Sequence, residues 1–312
     1  MSFSYILSYF GVYLFNKFYP AFISVEPADF CQLACPECPV GNGKSYSKRG
    51  RTLSLEHFKE SVDELKETLV HVIFYFQGEP LLNRNLTEMI AYTHRAGIYT
   101  STSTNAQLID ERTAEKLVQS GLDKLIVSID GTTQATYEKY RIGGKLEKAV
   151  NAVKLLVAAK KRSGRTNPII EIQFLVLKTN EHQLDEIKKL TKETGADRLS
   201  LKSAQLYDFE NGHELLTTID RYARYKKGKE EKWYPKNKWR NHCLRLWSGA
   251  VVTINGEVLP CCFDKESAFS FGNIHEKSFY ACWTSPKAMN FRKRILKNRK
   301  QFDICRNCSS KK

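Results

Sequence analysis

The sequence predicts an α/β chain, a partial (β/α)6 barrel with a small C-terminal cysteine-rich domain, and three observations carry that expectation. Strand-like stretches at 22–26, 71–77, 98–104, 123–130, 169–177 and 198–203 are dominated by β-branched and aromatic residues. Helical patterns fall between them, at 54–68, 86–96, 110–120, 145–162 and 181–194. Finally, six of the nine cysteines fall after residue 242, beyond the last alternating unit.

Successive βα units call for a parallel sheet with right-handed crossovers. The alternation is used up by about residue 203, too short for eight units, so a partial TIM-like barrel is the natural closure. Thr52-Leu-Ser-Leu-Glu and Asp110-Glu-Arg-Thr read as helix starts, and Gly97, Gly121 and Gly195 stand where C-terminal caps belong. In such barrels the chemistry gathers at the carboxyl ends of the strands. The expected organisation is an aromatic segment over 1–20, the barrel over 21–205, a basic connector over 206–242 and the cysteine-rich domain over 243–312.

The first strand runs straight into Cys31-Gln-Leu-Ala-Cys35-Pro-Glu-Cys38. A zinc site wants four tetrahedral ligands, usually as two close pairs, and a ferredoxin run carries a fourth cysteine just downstream. Three thiolates can instead hold three irons of a 4Fe–4S cubane and leave the fourth iron open to an outside ligand. The bland alternative is three unrelated cysteines. This stretch, directly after a strand, resembles the signature of the radical S-adenosylmethionine (SAM) superfamily. The resemblance implies that SAM chelates the open iron and is reductively split to a 5′-deoxyadenosyl radical that abstracts a substrate hydrogen. One departure is Glu37, which stands where the superfamily is usually aromatic, so packing near the adenine must come from elsewhere.

Other strand ends extend the resemblance. Gly78-Glu79-Pro80, after the second strand, is similar to the segment that binds the SAM amino group. Ser103-Thr104-Asn105 resembles the Thr-Asn-Gly turn, with Ala106 in place of glycine. On the fourth strand Ser128 and Asp130 share a face and suit the SAM carboxylate and ribose hydroxyls. Arg141 resembles an arginine that pairs with the SAM carboxylate, against the alternative of a solvated helix residue. On the fifth and sixth strands Glu171, Gln173, Ser200 and Lys202 either face substrate or adenine or point outward, with Gln173 and Lys202 the preferred pair.

In the tail, Asn255-Gly256 between two apolar runs is a hairpin signal. It draws Cys243 and Cys261 together, while Cys305-x2-Cys308 closes the set. Trp247, Pro260-Cys261-Cys262, Gly272-Asn273-Ile274 and Trp283 resemble the SPASM iron–sulfur domain. The four-cysteine set resembles its shortened twitch form, with a single auxiliary 4Fe–4S cluster; structural zinc is the alternative. Cys262 and Cys282 are expected to be packing groups.

Nine cysteines without a secretory signal fit a reducing, cytoplasmic setting. The aromatic stretch from Tyr5 to Phe22 is interrupted by Asn16 and Lys17, so docking on the barrel or lying on a membrane surface is expected over spanning it. The net charge of +15 is concentrated: residues 221–240 hold nine Lys or Arg, and 287–300 hold seven with no acid. Such runs either bind phosphates or are simply solvated. No RNA-binding motif accompanies them, so nucleic acid is not the expected partner.

The expected function is therefore a radical SAM enzyme acting on a small polar, sugar- or aminocyclitol-like substrate, with an electron donor such as flavodoxin or ferredoxin. A two-electron oxidation through the auxiliary cluster is the suggested reaction. The small substrate is favoured because only thirty residues precede Cys31, whereas peptide maturases of this kind often carry a leader-binding domain there. A SPASM-type peptide maturase is the first alternative. A non-catalytic iron–sulfur or zinc protein binding nucleic acid is the second.

Overall fold

The computed structural model describes residues 19–43, 50–236, 241 and 243–308. In chain order the elements are β1 (Phe22–Val25), α1 (Leu55–Leu65), β2 (His71–Ile73), α2 (Leu86–Arg95), β3 (Tyr99–Thr104), α3 (Glu111–Gln119), β4 (Lys124–Ser128) and α4 (Gln134–Glu138). They continue with α5 (Leu146–Arg162), β5 (Ile169–Val176), α6 (Leu184–Thr194), β6 (Arg198–Ser203), β7 (Tyr225–Lys227) and β8 (Trp233–Pro235). The tail adds α7 (Arg245–Ser248), β9 (Gly249–Val252), β10 (Val258–Leu259), α8 (Phe279–Trp283), α9 (Pro286–Asn298) and α10 (Asp303–Arg306). The expected starts are real caps. Ser54 accepts from His57 N and Asp110 from Thr113 N, each satisfying a backbone donor that the first helical turn leaves free.

Two compact units result. Among the described residues, the first holds 19–30, 50–100, 241 and 243–308; the second holds 31–43 and 101–236. These units cut across the expected domain boundaries, because the first part of the barrel shares a unit with the cysteine-rich tail. The sheet explains why. β9 runs parallel to β1, with Ser24 beside Val251, and β10 returns antiparallel to β9. The hairpin predicted at Asn255-Gly256 is thus present, with Gly256 at φ +80°, but it extends the sheet of β1 and β2. The tail is tied down again at α8, whose Phe279 and Tyr280 amides donate to the Glu64 carboxylate on α1 at 2.7 and 2.9 Å.

Within the first unit one sheet face is apolar. Ile23, Val25, Val72 and Phe74 are fully buried, and Phe58 from α1 lies 5.5 Å from the Phe74 ring. Burying each such side chain contributes about 1.5–3 kcal/mol. Alternation sends Ser24, Glu26 and Ile73 to the opposite face. In the second unit β3 to β6 run parallel in sequence order, with Ser128 beside Gln173 and Val176 beside Ser203.

Residues 206–236 are more than the connector expected of them. They form the β7–β8 hairpin and an apolar cap in which Leu206, Phe209, Leu215 and Tyr225 cluster with Leu33, Cys35 and Tyr140. Phe209 stacks on Tyr225 at 4.6 Å. The second basic run is also not simply a solvated helix face. Arg292 on α9 is buried among the Trp283, Phe271 and Trp247 rings, 4.0 Å from the first, and donates to the Trp283 carbonyl at 2.7 Å. Burial without a counter-ion pulls its guanidinium down to about 9. The aromatic segment expected over 1–20 lies almost wholly outside the described residues. Among the described residues no helix is long and apolar enough to cross a membrane.

Candidate active site

In the second unit the cysteine loop is wound tightly on itself. Cys38 N donates to the Cys35 carbonyl and Asn42 N to the Cys38 carbonyl. Gly41 allows this turn, since a Cβ there would stand 2.6 Å from Cys35 N. Ala34 N donates to the Ile142 carbonyl, tying the loop to the segment that carries Arg141. Two side chains donate to its sulfurs. Asn105 Nδ2 lies 3.4 Å from Cys31 Sγ, and Arg141 Nη1 lies 3.8 Å from Cys35 Sγ. Such donors favour the thiolate, the form that binds metal. Burial pushes the Cys35 thiol up, and the Arg141 charge opposes that push.

Arg141 is no surface residue. Its Nε donates to Asp130 Oδ2 at 2.6 Å, and Asp130 Oδ1 accepts from Leu175 N at 2.6 Å. Burial alone would lower the guanidinium pKa, but the Asp130 and Cys35 charges hold it above its usual value. Each Asp130 oxygen thus accepts from this chain, and Asn105 is bonded to Cys31, Gln32 and Gln107. Within the chain these two expected SAM-binding residues hold the cysteine loop and its arginine. Ser128 and Gln173 are neighbours across β4 and β5, as one shared face requires. Glu171 pairs with Lys124 at 2.8 Å near the amino ends of the strands, and Lys202 is exposed on β6 at the sheet edge. Ala106 sits at φ +59°, the conformation that glycine would have supplied, at a cost of about 1–2 kcal/mol.

Glu37 now has a role. Its Oε2 accepts from Tyr207 N at 2.8 Å and its Oε1 pairs with His213 Nε2 at 3.3 Å, so it fastens the 206–216 cap to the cysteine loop. Phe209, Tyr225 and Tyr140 share one apolar cluster with Leu33 and Cys35 of the loop. The sequence held no signal for this partnership, because 170 residues separate Glu37 from Tyr207.

In the first unit Gly78 has φ +68°, and a Cβ there would stand 2.3 Å from the Ala28 carbonyl. Glu79 N donates to the Phe30 carbonyl at 2.8 Å, so the segment is pinned to the exit of β1. Glu79 Oε1 caps the short turn that begins at Pro80, accepting from Leu81 N. Gly78→Ala should cost about 1–2 kcal/mol from φ alone and more from the backbone clash. We expect a several-degree fall in apparent Tm together with loss of SAM affinity. Wild-type values for both would show the turn to be uncritical.

The first unit also gathers the tail thiols. Cys243, Cys261, Cys305 and Cys308 line one apolar-walled cavity with Arg245 and Arg299. Burial pushes Cys261 well up, aided by Cys262, and lifts Cys305 to about 11 against the pull of Arg299. An all-thiolate cluster carries net negative charge, which two guanidiniums offset. The donor set fits an iron–sulfur cluster. Cys262 packs against Phe76, Val251 and Leu259 and takes a 3.6 Å contact from Arg245 Nη1, and Cys282, itself on α8, is buried against Gly272.

Comparison with known proteins decides the class. The family model for the radical SAM superfamily matches residues 25–191. The chain belongs to the radical SAM superfamily. A second model, the SPASM iron-sulfur cluster-binding domain, matches residues 243–309, which span the tail thiols. This radical SAM chain is 25% identical over 288 residues to PqqA peptide cyclase of Gluconobacter oxydans, covering 87% of the chain and 78% of that protein. Its fold is similar to that of BtrN in complex with AdoMet and 2-DOIA: TM-score 0.57, 22% identity, 94% of each chain. It is also similar to anSMEcpe with bound AdoMet and Kp18Cys peptide: TM-score 0.63, 21% identity, 91% and 88% of the chains. The expected partial barrel with a cysteine-rich tail is the fold of this group. Its cofactors are SAM, the 4Fe–4S cluster that binds it, and auxiliary iron–sulfur in the SPASM domain.

Proposed function

We propose that this radical SAM enzyme modifies a peptide side chain in the cytoplasm, with a flavodoxin- or ferredoxin-type electron donor. The observation that carries the reading is the relationship to a peptide cyclase along 87% of the chain, tail included. When bound, the cofactors supply reductive cleavage of SAM, a radical that takes hydrogen from substrate, and an electron route through the tail. Cys31, Cys35 and Cys38 hold the SAM-binding cluster, with Asn105 and Arg141 donating to two of their sulfurs. Asp130 orients Arg141, while Gly78, Glu79, Pro80, Ser128 and Gln173 bind SAM. Cys243, Cys261, Cys305 and Cys308 hold the auxiliary cluster, and a full set of four thiolates suits electron transfer better than substrate binding.

A small polyol or aminocyclitol is the second reading. It is supported by the fold similarity to BtrN, solved in complex with AdoMet and 2-DOIA, along 94% of both chains. Anaerobic reconstitution tests the scaffold: we expect about eight irons per chain, and about four after replacing Cys31, Cys35 and Cys38 together. Zinc with only about four irons in the wild type would remove the auxiliary cluster from the proposal. Release of 5′-deoxyadenosine, followed across peptide and polyol panels, decides the substrate. Stimulation by polyols alone would replace the peptide reading with the second.

A further inference from the structure

The carboxyl ends of β1 and β2 hold two buried acceptors that the cofactor scheme does not use. Glu26, on the face opposite the helix-covered core, is 2% exposed; its Oε2 accepts from Ile254 N at 3.1 Å, and its Oε1 has no hydrogen-bond partner among the described residues. Gln77 is 9% exposed, and its Nε2 donates to the Lys265 carbonyl at 3.0 Å. A carbonyl can only accept, so the amide orientation is forced and Oε1 is the atom left over; among the described residues it too is without a partner. Lys265 joins the two groups. Its ammonium donates to the Phe76 carbonyl at 2.8 Å, lies 4.1 Å from the Phe76 ring centre, and acts electrostatically on Glu26.

Leaving a buried acceptor unmet costs roughly 1–3 kcal/mol, more for a charged one. Two such atoms around one lysine call for donors from a ligand or from ordered water. We propose that Glu26 and Gln77, arranged around Lys265, form an anchoring subsite for a hydrogen-bond donor on the substrate, a hydroxyl or an amine. The proposal rests on the function above only in taking the occupant to be the substrate.

The electrostatics give it a signature. Lys265, Asp29 and Arg51 are the charged groups acting on Glu26, and Asp29 is already held by Arg51 at 3.0 Å. Burial pushes the Glu26 carboxyl from its usual 4.5 up to about 7, against the Ile254 amide and the Lys265 charge. A donor prefers the ionised carboxylate, so binding releases a proton below about pH 7. Affinity should climb as pH rises through that value and then level off.

The test uses reconstituted, SAM-loaded protein and three probes, N-acetylserinamide, N-acetyllysinamide and myo-inositol, followed by saturation-transfer NMR from pH 6 to 8. At least one probe should bind the wild type with the rising pH profile. Glu26→Gln, which keeps the shape and loses the charge, should weaken that probe about tenfold at pH 8 and flatten its profile. Glu26→Leu should abolish binding, but it also leaves the Ile254 amide without its acceptor; should it fail to fold, Glu26→Gln decides alone. No probe bound by the wild type, equal binding by Glu26→Gln, or a wild-type profile flat in pH overturns the proposal. Substrate-free release of 5′-deoxyadenosine by the wild type reports on the radical SAM scaffold separately, so the two readings fail in different assays.

Discussion

Alanine at any one of Cys31, Cys35 or Cys38 abolishes the substrate-free release of 5′-deoxyadenosine that reconstituted wild-type protein gives with dithionite. Each cysteine is one of only three thiolates in its loop, and no other cysteine occurs until Cys243. Even loss of an outer partner of a metal ligand costs 10–100-fold in affinity or activity, so loss of the ligand itself should exceed about 100-fold. The loop geometry sharpens the expectation. Cys35 is buried and accepts from Arg141, and Cys31 accepts from Asn105 and from Leu33 N. Asn105→Ala should therefore give the intermediate result, with a cluster that loads but is lost about 10–100-fold more readily. Release at the wild-type rate in any single cysteine variant sinks the assignment of this loop.

Arg141→Met lowers stability by about 3–5 kcal/mol, the usual consequence of removing one partner of a buried ion pair. The pair is wholly internal: Asp130 is 0% exposed, and its second oxygen is committed to Leu175 N. Without the guanidinium a charge would remain in the interior with one amide for company. Asp130→Asn in the same background keeps an acceptor for Leu175 N and removes the charge, so the double variant should be more stable than Arg141→Met alone. The arginine also donates to Cys35, so both variants should load the loop cluster poorly even where the fold recovers. Thermal unfolding and iron content together separate these effects. An Arg141→Met protein as stable as wild type would show that the pair is not the support described here.

The sequence by itself determined the class of this protein. Alternating periodicity located the strands from β1 to β6 and the longer helices between them, since each depends on neighbours a few residues away in the chain. Helix starts at Ser54 and Asp110 and the hairpin at Asn255-Gly256 were legible for the same reason. The two cysteine sets were legible because thiols at such spacings have few other uses. Tertiary structure decided what depends on residues far apart in the chain. It put β9 beside β1 across 223 intervening residues, so the tail shares a sheet with the first strands. It turned the 206–236 connector into a cap held by Glu37, and buried Arg292 and Arg299 out of a run that reads as solvated. It set Asp130 against Arg141, a pairing that strand alternation does not reveal. Alternation fixes the face on which a side chain stands, but not which group meets it there. Glu26 is the clearest instance: a carboxylate at a strand end reads as ordinary in sequence. Only the packing around it shows one oxygen bound, the other without a donor, and a lysine from the tail beside it.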